Sequence, residues 1–196
     1  MDQKQLKELL LQSLQHEKGG VKVYETALKC AQNEDLKKEW EEYLDQTRTH
    51  VTVLEEVCQS MDIDAEEETP GSEIVADLGT ALVKAMEKAR SGGDPDAAQL
   101  VACECVVLAE TKDHLDWELL GTCVKHLDDD KAEALQSAYE EVEDQEDEHL
   151  YHTKGWCREL WFESLGLKAV LPPPEEKQHV KTAIGAARAE QSVKSR

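Results

Sequence analysis

Apolar residues recur at steps of three and four along four long stretches of this chain, which is the spacing of an α-helix with one buried face. The third stretch has a clear start signal, because Asp94 can cap a helix N-terminus and Pro95 suits the first helical position. We therefore predict four long helices, over about Gln3 to Ala31, Asp35 to Met61, Pro95 to Leu127 and Asp128 to Ser164.

A shorter amphipathic segment, from Glu73 to Arg90, separates the second long helix from the third. Polar residues precede this segment, and Ser91-Gly92-Gly93 ends it. Two helices, a long connection that holds a short helix, and two more helices form the connectivity of a four-helix bundle with one long crossover. We therefore predict an all-α bundle over residues 1–171, although a simple up-down bundle of unrelated origin would show the same pattern.

The last part of the chain is predicted to lie outside the bundle. The run Leu171-Pro172-Pro173-Pro174 ends regular structure, because proline breaks helices. Residues 172–196 form a tail that is basic from Lys177 onward, whereas the body before it is acidic. We expect this tail to be flexible. Its alternative roles are docking on the acidic bundle, on a partner protein or on the inside of a protein shell.

The stripe of each long helix is apolar at both ends and polar in the middle. The second stripe, for example, begins with Leu36 and Trp40 and ends with Val57 and Met61. A stripe with this spacing faces the core of a bundle. The polar middle holds Glu17 on the first helix, Thr47 and His50 on the second, Glu110 and His114 on the third, and Glu146 and His149 on the fourth.

Carboxylates and imidazoles on core faces need a partner, since burying a lone carboxylate costs several kcal/mol unless it is paired or binds a cation. One such residue on one helix would be explained by a hydrogen bond or an ion pair. Their recurrence at matching depth on four helices favours a metal site instead, and this donor set suits iron, manganese or zinc. The predicted metal ligands are Glu17, His50, Glu110, His114, Glu146 and His149.

Other residues become alternatives if one helix is phased differently. Glu104 and Glu118 fall on the neighbouring face of the third helix, and Glu41 or Asp45 would supply a carboxylate from the second. His152 lies one turn beyond the ligands of the fourth helix, where it is either an additional ligand or an exposed residue.

The net charge of −21 argues against nucleic-acid binding, which needs a basic surface, and it fits a protein that attracts cations. No stretch reaches the ~18 apolar residues of a membrane span, and the sequence MDQKQLKELL lacks the layout of a signal peptide. The six cysteines are scattered with no CxxC pair, which favours reduced thiols over a disulfide framework. We expect a protein of the cytoplasm of a microbial cell that does not contact a membrane.

The architecture and these residues together resemble the ferritin-like superfamily, as in bacterioferritin and rubrerythrin. The superfamily supplies one Glu from the first helix, an ExxH motif from the second, one Glu from the third and an ExxH motif from the fourth. Glu17 with Tyr24 two turns later looks like the first-helix pattern, Glu110 matches the third helix, and Glu146-Asp-Glu-His149 is an intact ExxH. The resemblance covers about residues 3–165. We also expect a homo-oligomer, a dimer or larger.

Within the superfamily, the chain is most similar to the bacterial stress-associated YciE/YciF type. The second helix of that type resembles the stretch from Tyr43 to Val51, and its third resembles Asp113-His114-Leu-Asp116 followed by Gly121-Thr122. One position departs from the superfamily pattern, because the second-helix motif reads Thr47-Arg-Thr-His50 and lacks a carboxylate. His114 is the candidate that compensates. A single-metal site or an asymmetric, less anionic pair is the expected result.

Two functions are compatible with these residues. The first is a redox-active iron or manganese protein that acts on dioxygen, peroxide or Fe(II) under stress, as a ferroxidase-like or peroxidase-like di-metal oxidoreductase. In that case Tyr24 is a candidate for a redox step, although core packing is the simpler explanation of it. The second is a non-enzymatic metal-binding or shell-cargo module that serves assembly. Turnover of peroxide or Fe(II) distinguishes the two.

Overall fold

The computed structural model describes residues 1–127 and 130–168, and these residues form five α-helices with no β-strand among them. The predicted all-α class is confirmed, and the short helix lies in the predicted crossover. The expected tail, residues 172–196, and its boundary with the bundle lie outside the described residues. The helices are α1 (Gln3–Ala27), α2 (Glu34–Ser60), α3 (Pro70–Ser91), α4 (Pro95–Val124) and α5 (Asp130–Ser164).

Side-chain caps and prolines set where the helices begin. Asp94 accepts hydrogen bonds from the first backbone N–H groups of α4, and Pro95 occupies its first position, as predicted. Thr69 and Ser72 cap α3 reciprocally, so α3 begins one turn earlier than predicted. α1 ends at Ala27, one turn earlier than predicted, because the backbone there tightens into turns whose hydrogen bonds span three residues.

The four long helices pack in a ring in which α1 and α5 each neighbour both α2 and α4. α2 and α4 therefore lie diagonally across the bundle. α3 packs outside the ring against α1 and α4. It runs parallel to α1, because Thr69 at its start donates to Glu8 and Gly79 further along meets Gly19. α3 thus returns the chain along the bundle, so that α2 and α4 point in the same direction.

The core has two apolar clusters with a polar layer between them. Trp40 and Val106 belong to one cluster, and Leu10 and Leu120 belong to the other. Every position of the predicted stripe on α2, from Leu36 to Met61, is buried. Because the apolar clusters exclude water, polar groups between them must find their partners inside the core.

Small residues let the helices approach closely beside the polar layer. A Cβ atom on Gly20 would lie 3.3 Å from the methyl group of Thr47, and one on Gly79 would lie 3.6 Å from Gly19 Cα. These approaches explain two consecutive glycines inside α1, each of which costs about 1 kcal/mol relative to alanine in a helix.

The six cysteines are free thiols, as predicted, and Cys30, Cys58, Cys103 and Cys105 are buried. Within the two described ranges, no helix has the combination of length and apolarity that crossing a membrane requires.

Candidate metal centre

Side chains from four helices meet in the polar layer. Glu17 comes from α1, His50 from α2, Glu110 from α4, and Glu146 and His149 from α5, and each is at most 2% exposed. Their ligand atoms form two groups, Glu17–His50–Glu146 and Glu110–Glu146–His149, in each of which the atoms lie within 4.8 Å of one another. Each group can hold a metal ion. Glu146 belongs to both groups, so its carboxylate is placed to bridge two ions.

One oxygen of Glu146 lies close to both imidazoles. Its Oε1 lies 3.0 Å from His50 Nδ1 and 3.4 Å from His149 Nδ1. On the flanks, His50 Nδ1 is 3.4 Å from Glu17 Oε1, and His149 Nδ1 is 3.5 Å from Glu110 Oε2. The two imidazole rings are stacked with centroids 5.7 Å apart. The cluster is therefore nearly symmetric about Glu146, with one further carboxylate and one imidazole on each side.

Both imidazoles present Nδ1 to the carboxylates because each Nε2 donates a hydrogen bond to a glutamine on the other side of the ring. His50 Nε2 donates to Gln145 Oε1 at 2.9 Å, and His149 Nε2 donates to Gln46 Oε1 at 2.7 Å. The amide nitrogen of Gln145 faces the carbonyl of Glu141 at 3.4 Å, which directs its oxygen toward the ring. With the proton on Nε2, the Nδ1 lone pair of a neutral ring is free to bind a metal.

Several buried polar atoms of this layer contact only one another, at the ion-pair distances given above, and have no other hydrogen-bond partner in the described part of the chain. They include both oxygens of Glu146, Oε2 of Glu17 and of Glu110, and Nδ1 of His50. Trp117 Nε1 does donate to Glu17 Oε1 at 3.0 Å. Unsatisfied buried carboxylates are unfavourable, whereas a bound divalent cation would coordinate these same atoms. Carboxylate oxygens with imidazole nitrogens fit iron, manganese or zinc.

The electrostatics of the cluster also favour a bound positive charge. Burial raises the pKa of Glu17 to about 7, although His50 opposes the shift. Burial disfavours imidazolium, but Glu146 and Glu17 raise the pKa of His50 to about 11, and Glu146 and Glu110 raise that of His149 to about 9. Glu146 is held at a pKa of about 2 against burial by the two imidazoles. The metal-free cluster therefore keeps protons on its imidazoles, and a metal that binds Nδ1 must displace them.

The structure places His114, the sixth predicted ligand, outside both groups. Its Nε2 donates to Asp147 Oδ1 at 2.8 Å, its ring contacts Tyr151, and 16% of its side chain is exposed. The acidic residues that a different helix phase would have favoured are all exposed, namely Glu41, Asp45, Glu104 and Glu118.

Asp113 is a buried carboxylate of this layer that sequence reasoning missed, and it belongs to neither ligand group. It is 4% exposed, and its Oδ1 has no hydrogen-bond partner among the described residues. Burial, followed by the charges of Glu146, Glu17 and Glu110, raises the pKa of Asp113 well above its usual value. Asp113 follows Glu110 by three residues, the spacing at which two side chains share a helix face, and this spacing was the available signal.

Thr47 stands where the superfamily resemblance implies a glutamate. It is buried, its hydroxyl donates to the Tyr43 carbonyl oxygen at 2.8 Å, and its methyl group faces Gly20. Asp113 lies on α4, diagonally across the bundle from Thr47 on α2. With Asp113, the layer holds four buried carboxylates, which are Glu17, Glu110, Asp113 and Glu146.

A second buried polar cluster adjoins the first. The ring of Tyr43 packs on that of His149 with centroids 4.2 Å apart, and its hydroxyl donates to Glu39 Oε1 at 2.7 Å. Glu39 also accepts a hydrogen bond from Trp156 Nε1 at 2.8 Å and lies 3.2 Å from His152 Nδ1. His152 is therefore buried in this second cluster, and not among the candidate ligands.

Tyr24, the candidate redox tyrosine, lies at the edge of the His149 ring, with centroids 6.2 Å apart. Burial, followed by the charge of Glu110, raises the pKa of Tyr24 well above its usual value. Its hydroxyl therefore stays protonated beside the candidate ligands.

The N-terminal half of the chain, residues 2–104, matches a family model described as a domain of unknown function (DUF892). The match spans α1 to α3 and the first part of α4. It includes Glu17 and His50, whereas Glu110, Glu146 and His149 lie beyond it. No curated protein and no solved structure matches the chain.

Proposed function

We propose that this chain, which belongs to the DUF892 family, is a ferritin-like protein that holds two iron or manganese ions in its core for redox chemistry. The observation that carries the proposal is the pair of ligand groups that share Glu146 and whose buried atoms lack other partners. The ring of four long helices, with α3 in the crossover between the two hairpins, supports the ferritin-like assignment.

In this proposal Glu17 and His50 would hold one ion and Glu110 and His149 the other, and Glu146, which belongs to both groups, would serve both. Asp113, which lies outside both groups but whose pKa responds to Glu146, Glu17 and Glu110, would add the fourth negative charge in place of the one that Thr47 lacks. Four carboxylates with neutral imidazoles carry four negative charges, which balance two divalent ions. The proposal therefore favours a dinuclear site over the single-metal or less anionic site expected from Thr47 with His114.

Bound iron or manganese would supply electron transfer with dioxygen, peroxide or Fe(II). The residues of the chain orient the ligands and shape the space around them. Gln46 and Gln145 orient the imidazoles, and the two apolar clusters close the layer at both ends. The cavity that reaches Glu146 measures about 130 Å³, which suits an ion, dioxygen or peroxide and is small for an organic substrate. A role in oxidative or metal stress follows from this chemistry.

Metal uptake and turnover test the proposal. Metal-free protein is supplied anaerobically with Fe(II) or Mn(II), freed of excess metal and assayed by elemental analysis. Oxygen and peroxide consumption are then followed. We expect tight uptake and turnover by the wild type, weak uptake by Glu146→Gln, and wild-type behaviour by Glu148→Gln, whose side chain is exposed on the same helix. A wild type that neither retains metal nor gains thermal stability from it would contradict the proposal.

Metal binding without turnover is the second candidate function. The size of the cavity supports it equally, because metal sequestration also requires access for an ion and no organic substrate. Full occupancy with no consumption of dioxygen, peroxide or Fe(II) would favour this function.

A further inference from the structure

A cavity of about 130 Å³ between α4 and α5 connects Glu146 with the protein surface. We infer that this cavity is the path by which divalent cations reach the centre, an inference that rests on the proposed function. Glu146 and Trp117 at its inner end are buried, whereas Glu118 and Glu143 are exposed. The lining residues are His114, Trp117, Glu118, Tyr139, Glu143, Glu146 and Asp147.

The charge of the lining favours cations. Glu118, Glu143 and Asp147 line the cavity together with Glu146, and the described lining contains no lysine or arginine. A cleft lined by one sign of charge between low-dielectric walls concentrates counter-ions and raises their association rates. The volume leaves room for several water molecules, so a cation can enter with part of its hydration shell.

The inner end of the cavity meets the centre directly. The oxygens of Glu146 have no partner in the described ranges besides the imidazoles of the cluster, although the residue is only 1% exposed. Trp117, beside it, donates to Glu17 Oε1 at 3.0 Å, so the wall of the cavity also touches the ligand on α1. A cation that moves inward along the acidic lining therefore arrives at the carboxylate that both ligand groups share.

His114 and Asp147 form part of the wall of this path. The His114–Asp147 hydrogen bond joins α4 to α5 and fixes the Asp147 carboxylate at the cavity. This assignment gives His114 a position along the path in place of the predicted position in the centre.

Rapid mixing of metal-free protein with Co(II) tests the path. Tryptophan fluorescence follows arrival of the ion at the inner end, and a Trp117→Phe variant assigns the change to Trp117 among the four tryptophans. Visible absorption of Co(II) reports the final ligand set. The variant Glu118→Gln with Glu143→Gln removes two charges from the lining, and the control Glu141→Gln with Glu148→Gln removes two from exposed positions outside it. We expect the lining variant to bind on the order of tenfold more slowly at low salt. The difference should shrink in about 0.5 M salt.

The stoichiometry and the Co(II) absorption spectrum should be unchanged in the lining variant, since its ligands are intact. Wild-type rates in the lining variant, or equal slowing in the control, would overturn the path while leaving the proposed function in place. Failure of the wild-type protein to bind Co(II) at all would contradict the proposed function, and the path with it.

Discussion

Gln46 Oε1 on α2 accepts a hydrogen bond from His149 Nε2 on α5 at 2.7 Å. In the reciprocal contact, His50 Nε2 on α2 donates to Gln145 Oε1 on α5 at 2.9 Å. Each helix therefore orients the imidazole of the other, and the two candidate ligands depend on the same helix–helix register. A ligand held in this way loses little conformational entropy when a metal binds.

Replacing Gln46 by alanine should lower metal affinity about 10–100-fold, because the His149 ring loses the acceptor that fixes its tautomer and orientation. Competition with a chromogenic chelator measures the change. Gln136→Ala is the control, since Gln136 is exposed on α5 and bonds only to Glu140 among the contacts described. Equal affinities of the Gln46 variant and the wild type would show that the contact does not orient a ligand.

Asp113→Asn should raise the melting temperature of the metal-free protein and weaken its metal binding. The variant removes a carboxylate whose pKa is raised by burial and then by the charges of four other carboxylates, and each 1 kcal/mol gained raises the melting temperature by roughly 2–4 °C. Asp116→Asn should instead lower the melting temperature and leave metal binding unchanged, because Asp116 is equally buried but pairs with Lys112 and belongs to neither ligand group. Calorimetry and metal titration of both variants provide the comparison. Lower stability with unchanged affinity in Asp113→Asn would mean that Asp113 is structural.

Thr47→Glu, added to Asp113→Asn, should recover part of the lost metal affinity. The new carboxylate would extend into the layer from α2, beyond the position of the Thr47 methyl group, which already packs closely on Gly20. Thr47→Glu alone should lower the stability of the metal-free protein, since it adds a fifth buried carboxylate. No recovery in the double variant would argue that the position of Asp113 matters more than the number of charges.

The stability of the metal-free protein should fall as pH rises from about 6.5 to 9. The pKa of His50 is raised to about 11 and that of His149 to about 9. The stability that their protonation gives the folded protein is therefore complete below the unfolded value of 6.5, and it is lost progressively as the pH rises toward the folded values. Metal-loaded protein should not show this loss, because the metal replaces the protons. Thermal melts in parallel pH series measure both trends. A metal-free protein that gains stability over this range would contradict the charge distribution described.

The α2 stripe could be predicted fully because α2 buries one narrow face between two neighbours. Leu36, Tyr43, His50 and Val57 follow heptad spacing, and all are buried. The polar middle of that stripe, together with the intact Glu146-to-His149 motif on α5, was enough to locate the layer.

The inward face of α4 could not be read in the same way. α4 packs against α1, α3 and α5, so its buried surface is broad and its apolar pattern does not define one line. Glu110 and Trp117 lie seven residues apart, and either residue 113 or residue 114 fits between them on a helical stripe, so the prediction took His114 in place of Asp113. The glutamines behind the imidazoles were missed because uncharged residues beside a stripe carry no distinguishing pattern.

Anomalous scattering from crystals of the iron-loaded or manganese-loaded protein tests the central claim most directly. The account predicts two peaks per chain, one among Glu17, His50 and Glu146 and the other among Glu110, Glu146 and His149. No peak in the polar layer, or peaks that avoid Glu146, would contradict it.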